Sequence, residues 1–241
     1  MKRLLPLLTL VLLLMVPRPC AASGINLSWG DCGSFGTMMR NFACNTNSGL
    51  HTMVASFAPP AGMNQLVGME GVIDLCSMTP VLPAWWQMAS PGTCRPSALS
   101  TDFNFVAGPY NCADYWQGQA VGGMSYTMGA AWGFNGARLR VVAAIPSNAV
   151  APTDENTEYY AFRVTIRNDA TTGAGSCAGC GSSVCIILNS LLLAQPLGVG
   201  DFTLSNPLTN NYLHWQGDVA NCPFVVPVKQ KSWGQVKALY R

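Results

Sequence analysis

The sequence predicts an all-β protein, a disulfide-stapled β-sandwich or jelly-roll-like fold, and three observations support this. Short segments alternate apolar and polar residues with period two, which is typical of strands with one buried face. Glycine (24 residues) and proline (16) are frequent while charged residues make up only 10% of the chain, which indicates many turns around a broad apolar core. Ten cysteines could cross-link such a fold.

The alternation is clearest in AFRVTIRN at 161–168 and in ARLRVVAAIP at 137–146. The face predicted to be buried carries Phe162, Val164 and Ile166 in the first segment and Leu139, Val141, Ala143 and Ile145 in the second. Further strands are predicted at INLSW, LHTMVASFAP, VGMEGVIDLCSM, AWWQM, VGGMSYTMG, VCIILNSLLL and DFTLSNP. Turn signals such as Pro59-Pro60 and Gly108-Pro109 separate these segments.

Residues 1–22 have the pattern of a secretory signal peptide. The basic MKR precedes the apolar LLPLLTLVLLLMV and a small-residue segment, and this apolar run is too short to span a bilayer. No later apolar run approaches the roughly 18 residues that a spanning helix needs. We therefore expect the mature chain to have no membrane span and to be secreted, periplasmic or displayed at the cell surface.

The charges divide the mature chain into a body, 23–228, and a basic tail, 229–241. The body carries six arginines against 11 acidic residues, whereas the tail carries four basic residues and no acid. A mildly acidic body argues against nucleic acid as a partner, because phosphate binding needs a basic face on the folded domain. We expect a single sandwich domain over 23–228, followed by a short helical or flexible tail.

Three segments resemble those of a group of secreted bacterial proteins of unassigned function. These segments are SWGDCG near the mature N-terminus, CAGC with the following VCIILN, and the closing WGQVKALYR. The likeness spans most of the mature chain. The resemblance implies export by a bacterium and a sorting or anchoring role for the basic Trp-Gly terminus, and it brings no activity or catalytic residue.

Nine cysteines remain once the signal peptide is removed, and this odd number leaves at least one unpaired. Export favours disulfides, and proximity along the chain suggests the pairs Cys32–Cys44 and Cys94–Cys112. Cys76, inside the apolar VIDLCSM, is predicted to be a buried free thiol. The full set of disulfide candidates is Cys32, Cys44, Cys94, Cys112, Cys177, Cys180, Cys185 and Cys222.

The segment GSCAGCGSSVC brings three cysteines together. A thioredoxin-like redox pair at Cys177 and Cys180 is disfavoured because CAGC leads into a strand-like apolar run and not a helix, and two other interpretations stay open. Disulfides could pin a hairpin turn, with Cys222 as a partner, or Cys177, Cys180, Cys185 and Cys222 could bind zinc. Haem attachment is excluded because Gly181, not histidine, follows the second cysteine. No cofactor is favoured, although calcium could bind the loop carboxylates of Asp154, Glu155 and Glu158.

Catalysis has two sets of candidate residues. A Ser-His-Asp hydrolase would use His214 with Asp218 and Ser125, but GGMSYTMG has threonine where a nucleophile elbow has glycine. A glycosidase would use Glu70 and Asp74, which have the same parity on one strand and so project from the same face. His51, the other histidine, is predicted to be structural.

Tryptophans are the candidate ligand-binding residues. Trp85 and Trp86 are adjacent, and in a strand they would face opposite sides, so one is expected in the core and the other as an exposed stacking platform. Trp116 and Trp215 are further candidates for ligand binding, with a place in the core as the alternative.

The sequence therefore favours a secreted or cell-surface binding or structural module that recognises a glycan or a protein and does not catalyse a reaction. The alternative is a secreted hydrolase of glycosidase or esterase type that uses Glu70 and Asp74 or a site centred on His214. Self-assembly into a surface layer or filament is a third hypothesis, which the low charge permits.

Overall fold

The computed structural model describes residues 22–131 and 133–217, which form two packed β-sheets. The strands are β1 (Gly24–Trp29), β2 (Met39–Arg40), β3 (Leu50–Ala58), β4 (Gly68–Ser77), β5 (Leu99–Asp102), β6 (Val121–Met128), β7 (Gly136–Ala144), β8 (Tyr159–Arg167), β9 (Val184–Ala194), β10 (Phe202–Leu204) and β11 (Tyr212–Trp215). Single turns of 3-10 helix lie at Gly33–Phe35, Ala84–Trp86, Gly133–Asn135 and Ser147–Ala149. The predicted all-β sandwich is confirmed.

The two sheets differ in size. The smaller sheet has the strand order β1-β3-β8-β5, and the larger has the order β2-β11-β9-β4-β7-β6, with β10 also paired to β9. Neighbouring strands are antiparallel except β2 and β11, which run parallel. The predicted signal peptide lies outside the described residues except for Ala22, and the tail 229–241 lies wholly outside them. No helix among the described residues has the length and apolar character needed to cross a membrane.

The core lies between the inner faces of the two sheets. The predicted alternation is confirmed in β7 and β8, where every residue of the predicted apolar face is buried. The sheets approach closely at Gly71 of β4, where an added Cβ would lie 2.5 Å from Cε1 of Phe162 in β8. A glycine is required there because the phenyl ring occupies the place of any side chain.

The predicted strand at AWWQM is wrong. Ala84–Trp86 forms a turn of 3-10 helix, and both Trp85 and Trp86 are fully buried. Adjacent residues of a strand face opposite sides of a sheet, so only a turn could place both indole rings in the same core.

Three disulfides cross-link the described residues, and they join segments far apart in the sequence. They are Cys32–Cys112, Cys44–Cys180 and Cys94–Cys177, with sequence separations of 80, 136 and 83 residues. The predicted pairs Cys32–Cys44 and Cys94–Cys112 are therefore wrong, because tertiary packing of the loops decides which sulfurs meet. The predicted free and buried thiol of Cys76 is confirmed. These disulfides fit an extracellular protein.

Candidate functional site

The residues proposed for a Ser-His-Asp site do not meet. His214 lies in β11 and Ser125 in β6, and three strands, β9, β4 and β7, lie between them in the sheet. Four inter-strand steps of about 4.8 Å place their backbones roughly 19 Å apart. The predicted pairing of Ser125 with His214 is therefore wrong, and Asp218 lies outside the described residues.

His214 is a buried residue in the larger sheet. Its backbone carbonyl accepts a 3.1 Å hydrogen bond from Nε1 of Trp29, and its Nδ1 lies 3.9 Å from Sγ of Cys185 on the neighbouring strand. Cys185 is itself disulfide-bonded. The imidazole therefore lies in the interior of the structure, close to the disulfide sulfur of Cys185 and with the centre of the Tyr212 ring 5.7 Å from its own.

Glu70 and Asp74 project from the same face of β4, as predicted. Nε and Nη2 of Arg138 donate hydrogen bonds of 2.7 and 2.8 Å to the Asp74 carboxylate, and Arg140 donates one of 2.8 Å to Glu70. Four residues of extended strand separate the two acids by about 13 Å, beyond the range of about 5–9.5 Å that glycosidase carboxylate pairs use. The predicted glycosidase pair is therefore wrong, since arginines on β7 hold both acids.

The four tryptophans predicted to bind ligand are core residues. Trp85, Trp86, Trp116 and Trp215 are each no more than 1% exposed, so none can act as a stacking platform. Nε1 of Trp116 donates a 2.7 Å bond to the Ala161 carbonyl, and Nε1 of Trp215 does the same to Cys180. The prediction that one of the adjacent pair is exposed is wrong, and the alternative place in the core is the correct one.

The cysteines proposed as zinc ligands are oxidised. Cys177 and Cys180 belong to two of the disulfides described above, and Cys185 is also disulfide-bonded. Zinc binds thiolates, so the zinc interpretation is wrong for these three sulfurs. The predicted disulfides are confirmed, but the predicted hairpin turn is wrong, because the flanking strands β8 and β9 belong to different sheets. Cys222, the predicted fourth member, lies outside the described residues, and its pairing stays a prediction.

Two of the three carboxylates proposed for calcium accept hydrogen bonds from neighbouring groups of the protein. Asp154 accepts hydrogen bonds from the backbone and side chain of Asn156 and from Thr157. Glu158 instead accepts bonds of 2.7 Å from Asn26 and 2.6 Å from Ser56. Within residues 22–131 and 133–217, no three histidine, cysteine, aspartate or glutamate side chains form a group that could hold a metal ion.

An aromatic cluster fills the core at the end of the sandwich where β4 and β11 finish. The Phe42 ring lies 4.1 Å from the His51 ring and 4.2 Å from Trp215, which in turn lies 4.9 Å from Trp85. Nε2 of His51 donates a 2.8 Å hydrogen bond to Oδ1 of Asn168, and burial lowers the pKa of this histidine. The prediction of a structural histidine at this position is consistent with these contacts.

Two of the three disulfides stand at this same end. Cys94–Cys177 and Cys44–Cys180 tie the loop that contains residues 177–183 to two other loops. Backbone N–H of Trp85 donates a 2.9 Å hydrogen bond to the Ala178 carbonyl, which fixes the 177–183 loop against the Trp85 turn. The loops at this end are therefore held by covalent bonds and a packed aromatic floor.

Above that floor, three large apolar side chains are exposed on neighbouring loops. Met78 is 47% exposed, Val81 59% and Phe134 88%. Backbone N–H of Leu82 donates a 2.8 Å bond to the Phe134 carbonyl, so the two loops that carry these residues lie side by side. We refer to Met78, Val81 and Phe134 as the apolar loop platform.

Two of the open depressions are lined by described residues that include no predicted catalytic residue. One, of about 460 Å³, is lined by Met39, Arg40, Asn41 and Gly217. The other, of about 320 Å³, is lined by Ala22, Asn26, Ala58, Glu155, Asn156, Glu158, Leu208 and Thr209.

Comparison with known proteins shows likeness at the level of structure. No protein-family description matches the chain, and no curated protein does. The chain is similar to the solved structure of a cohesin module from a Clostridium perfringens family 33 glycoside hydrolase, with a TM-score of 0.40 and 7% sequence identity. That likeness covers 82% of this chain and 100% of the cohesin module.

Proposed function

We propose that this protein is an exported binding module that contacts a protein partner through the apolar loop platform and does not catalyse a reaction. The observation that carries the proposal is the exposure of Met78, Val81 and Phe134 on two loops that lie side by side, the first of which belongs to the β4–β5 connection that Cys94–Cys177 ties down. Clustered exposed apolar side chains mark interaction sites in soluble proteins.

The chemistry of the platform favours a protein over a glycan. Aromatic residues and methionine are enriched at protein interfaces, and the platform contains one phenylalanine and one methionine. Glycan recognition was expected from tryptophan stacking, and the four tryptophans proposed for it are buried. Preformed loops also lower the entropy cost of association, since little further ordering accompanies binding.

The hydrolase alternative has little geometric support. Ser125 is distant from His214, and arginines bind the carboxylates of Glu70 and Asp74. A general acid or nucleophile must reach the substrate in a cleft, and these groups instead lie along a sheet face in ion pairs.

Binding of the labelled mature protein to intact cells of the producing organism tests the proposal. We expect saturable binding that protease treatment of the cells removes and periodate oxidation of their glycans does not. Replacing Val81 and Phe134 by serine should weaken binding at least about tenfold, which is the size of effect expected at a central interface residue.

The matched control replaces Leu197 and Val199 by serine. These exposed apolar residues lie on the loop between β9 and β10, at the far end of β9 from the platform, so binding should be unchanged. Binding that periodate abolishes, or that the platform variant leaves intact, would contradict the proposal. Turnover of a polysaccharide or an ester that Glu70→Gln abolishes would establish the hydrolase instead.

A further inference from the structure

The edge strands of this sandwich differ in how well they are protected against pairing with another chain. At the β1 edge, backbone hydrogen bonds of 2.8–2.9 Å join Ile25 and Leu27 to the segment 206–210, which covers the strand. The β5 edge is four residues long and ends in the charged Asp102, and β2 contains only two residues. Covering, shortening and charging are the usual means by which proteins prevent edge strands from pairing with other chains.

β10, which lies beside β9 off the main strand order, has three residues and is likewise short, whereas β6 has none of these protections. It is eight residues long, VGGMSYTM, with no charge and no proline, and its register with β7 is unbroken from Val121 to Met128. Within residues 22–131 and 133–217, the β6 backbone makes hydrogen bonds only to β7. A long, regular and uncharged edge strand is a template for an added strand.

The open edge is also held in a fixed position. The Tyr126 ring is buried and its hydroxyl donates a 2.7 Å hydrogen bond to the Trp86 carbonyl, which anchors the middle of β6 to the core. The bond from Gly129 N–H to the Gly136 carbonyl continues the ladder, so the odd-numbered residues bond to β7. The N–H and C=O groups of Met124 and Tyr126 therefore point to the open side.

We propose that β6 pairs antiparallel with β6 of a second copy of this chain. No charged side chain lies on the strand, so self-pairing opposes no like charges and no charge selects an acidic or basic peptide in its place. The strand is also self-complementary in size. Antiparallel pairing centred on Ser125 sets Gly122 and Gly123 opposite the larger Met128 and Thr127 of the other copy.

The apolar residues around β6 also favour a second copy of this chain as the partner of the strand. Val121 is 70% exposed and Val142, opposite Gly123 on β7, is 48% exposed. Pairing would continue the larger sheet across the two copies and bring these side chains near the interface. Because the strands run antiparallel, the apolar loop platforms of the two copies would point in opposite directions and both stay accessible. This inference does not depend on the proposed function.

Sedimentation equilibrium of the mature protein tests the inference, with hydrogen exchange as a second measurement. We expect a concentration-dependent dimer, together with slowed exchange of the Met124 and Tyr126 amides as the dimer forms. Replacing Ser125 and Thr127 by glutamate should raise the dimer dissociation constant at least about tenfold, because like charges then face each other across the new ladder. Both residues are exposed and lie opposite Arg140 and Arg138, so the folded monomer tolerates the change.

The matched control is Thr203→Glu, at the exposed residue of β10, which introduces glutamate away from β6 and should leave the dimer intact. A monomer at the highest soluble concentration would overturn the inference. So would a dimer in which the Met124 and Tyr126 amides exchange as fast as in the monomer. A dimer that the platform variant dissolves and the β6 variant does not would place self-association at the platform, which separates failure of this inference from failure of the proposed function.

Discussion

The guanidinium of Arg95 lies 3.5 Å from the centre of the Trp85 ring, and its Nη1 donates a 2.6 Å hydrogen bond to the Trp85 carbonyl. Its Nε donates a 2.8 Å bond to the Asp169 carbonyl, and Nη2 bonds the carbonyl of Arg167. One buried cation thus joins the loop between β4 and β5 to the end of β8. Burial lowers the pKa of Arg95 to about 10, so the side chain stays charged at neutral pH.

Replacing Arg95 by methionine should reduce the free energy of unfolding by about 3 kcal/mol, because three buried carbonyls lose their donors. Arg95→Lys should reduce the free energy of unfolding by a smaller amount. Lysine keeps the positive charge, but its one ammonium group cannot reach all three carbonyl acceptors. Urea denaturation of the oxidised protein measures both. Equal stability of the wild type and the methionine variant would show that the arginine does not hold the loop.

Stability should fall as the pH drops from 7 toward 5, in part because of His51. Burial is the largest cause of its lowered pKa, with Arg40 and Arg95 acting in the same direction and the Asn168 hydrogen bond opposing them. The unfolded chain therefore takes up a proton near pH 6.5 while the folded chain does not, which favours unfolding below that pH until the folded pKa is reached.

Urea denaturation at several pH values measures this effect. His51→Gln keeps an amide that can bond Asn168 but cannot titrate, so its free energy of unfolding should depend less on pH over the same range. If both proteins show the same pH dependence, His51 does not contribute to it.

The two acids of β4 should affect stability to different extents. Asp74→Asn leaves the partly buried Arg138 without its carboxylate and should cost about 1–3 kcal/mol, because the acid is only 7% exposed. Glu70→Gln breaks an exposed pair and should cost less than about 1 kcal/mol. Thermal unfolding of both variants checks the order. A larger loss in Glu70→Gln would contradict the structural role assigned to the pair.

The strands that could be predicted from the sequence are those whose alternation is long. In β7 and β8 each apolar residue of the predicted face is buried, because a sheet with one buried face imposes period two on its residues. The strands β2, β5 and β11 have two to four residues, too few to show a period, and were not predicted. Turn signals and low charge were sufficient for the fold class.

The parts of the site that could not be predicted depend on which distant segments meet. The sequence around Trp85 and Trp86 is compatible with an extended strand. Nothing in the neighbouring residues indicates that the chain instead turns there and buries both rings. Cys44 and Cys180 are 136 residues apart, so their pairing follows from the packing of two loops. The exposure of Phe134 could not be predicted, because the sequence does not distinguish an exposed phenylalanine from a buried one.

Peptide mapping of the unreduced protein should recover the pairs Cys32–Cys112, Cys44–Cys180 and Cys94–Cys177, and a link between Cys185 and Cys222 is predicted as the fourth.

Cys76 should resist alkylation in the native protein, because burial shields the thiol and raises its pKa, and should react once the chain is unfolded in urea. Replacing Cys44 and Cys180 by alanine should cost about 2–5 kcal/mol. Recovery of Cys32–Cys44 would contradict the loop packing described above.

The close contact between Gly71 and Phe162 leaves no room for a larger residue at position 71. A methyl group at position 71 would lie 2.5 Å from Cε1 and 2.9 Å from Cζ of the ring, inside van der Waals contact, so the sheets must separate or the ring must move. Gly71→Ala should therefore reduce the free energy of unfolding by about 1–3 kcal/mol, the usual cost of overpacking a core. Gly181→Ala is the matched control, because an added Cβ there meets nothing within 4 Å, and its effect should stay within about 0.5 kcal/mol.

Combining Gly71→Ala with Phe162→Leu should cost less than the sum of the two single changes, since the smaller side chain makes room for the methyl group. Urea denaturation of the two single variants and the double variant measures this coupling. If the two costs add without coupling, Phe162 is not what excludes a side chain at position 71, and the close approach of the sheets would need another cause.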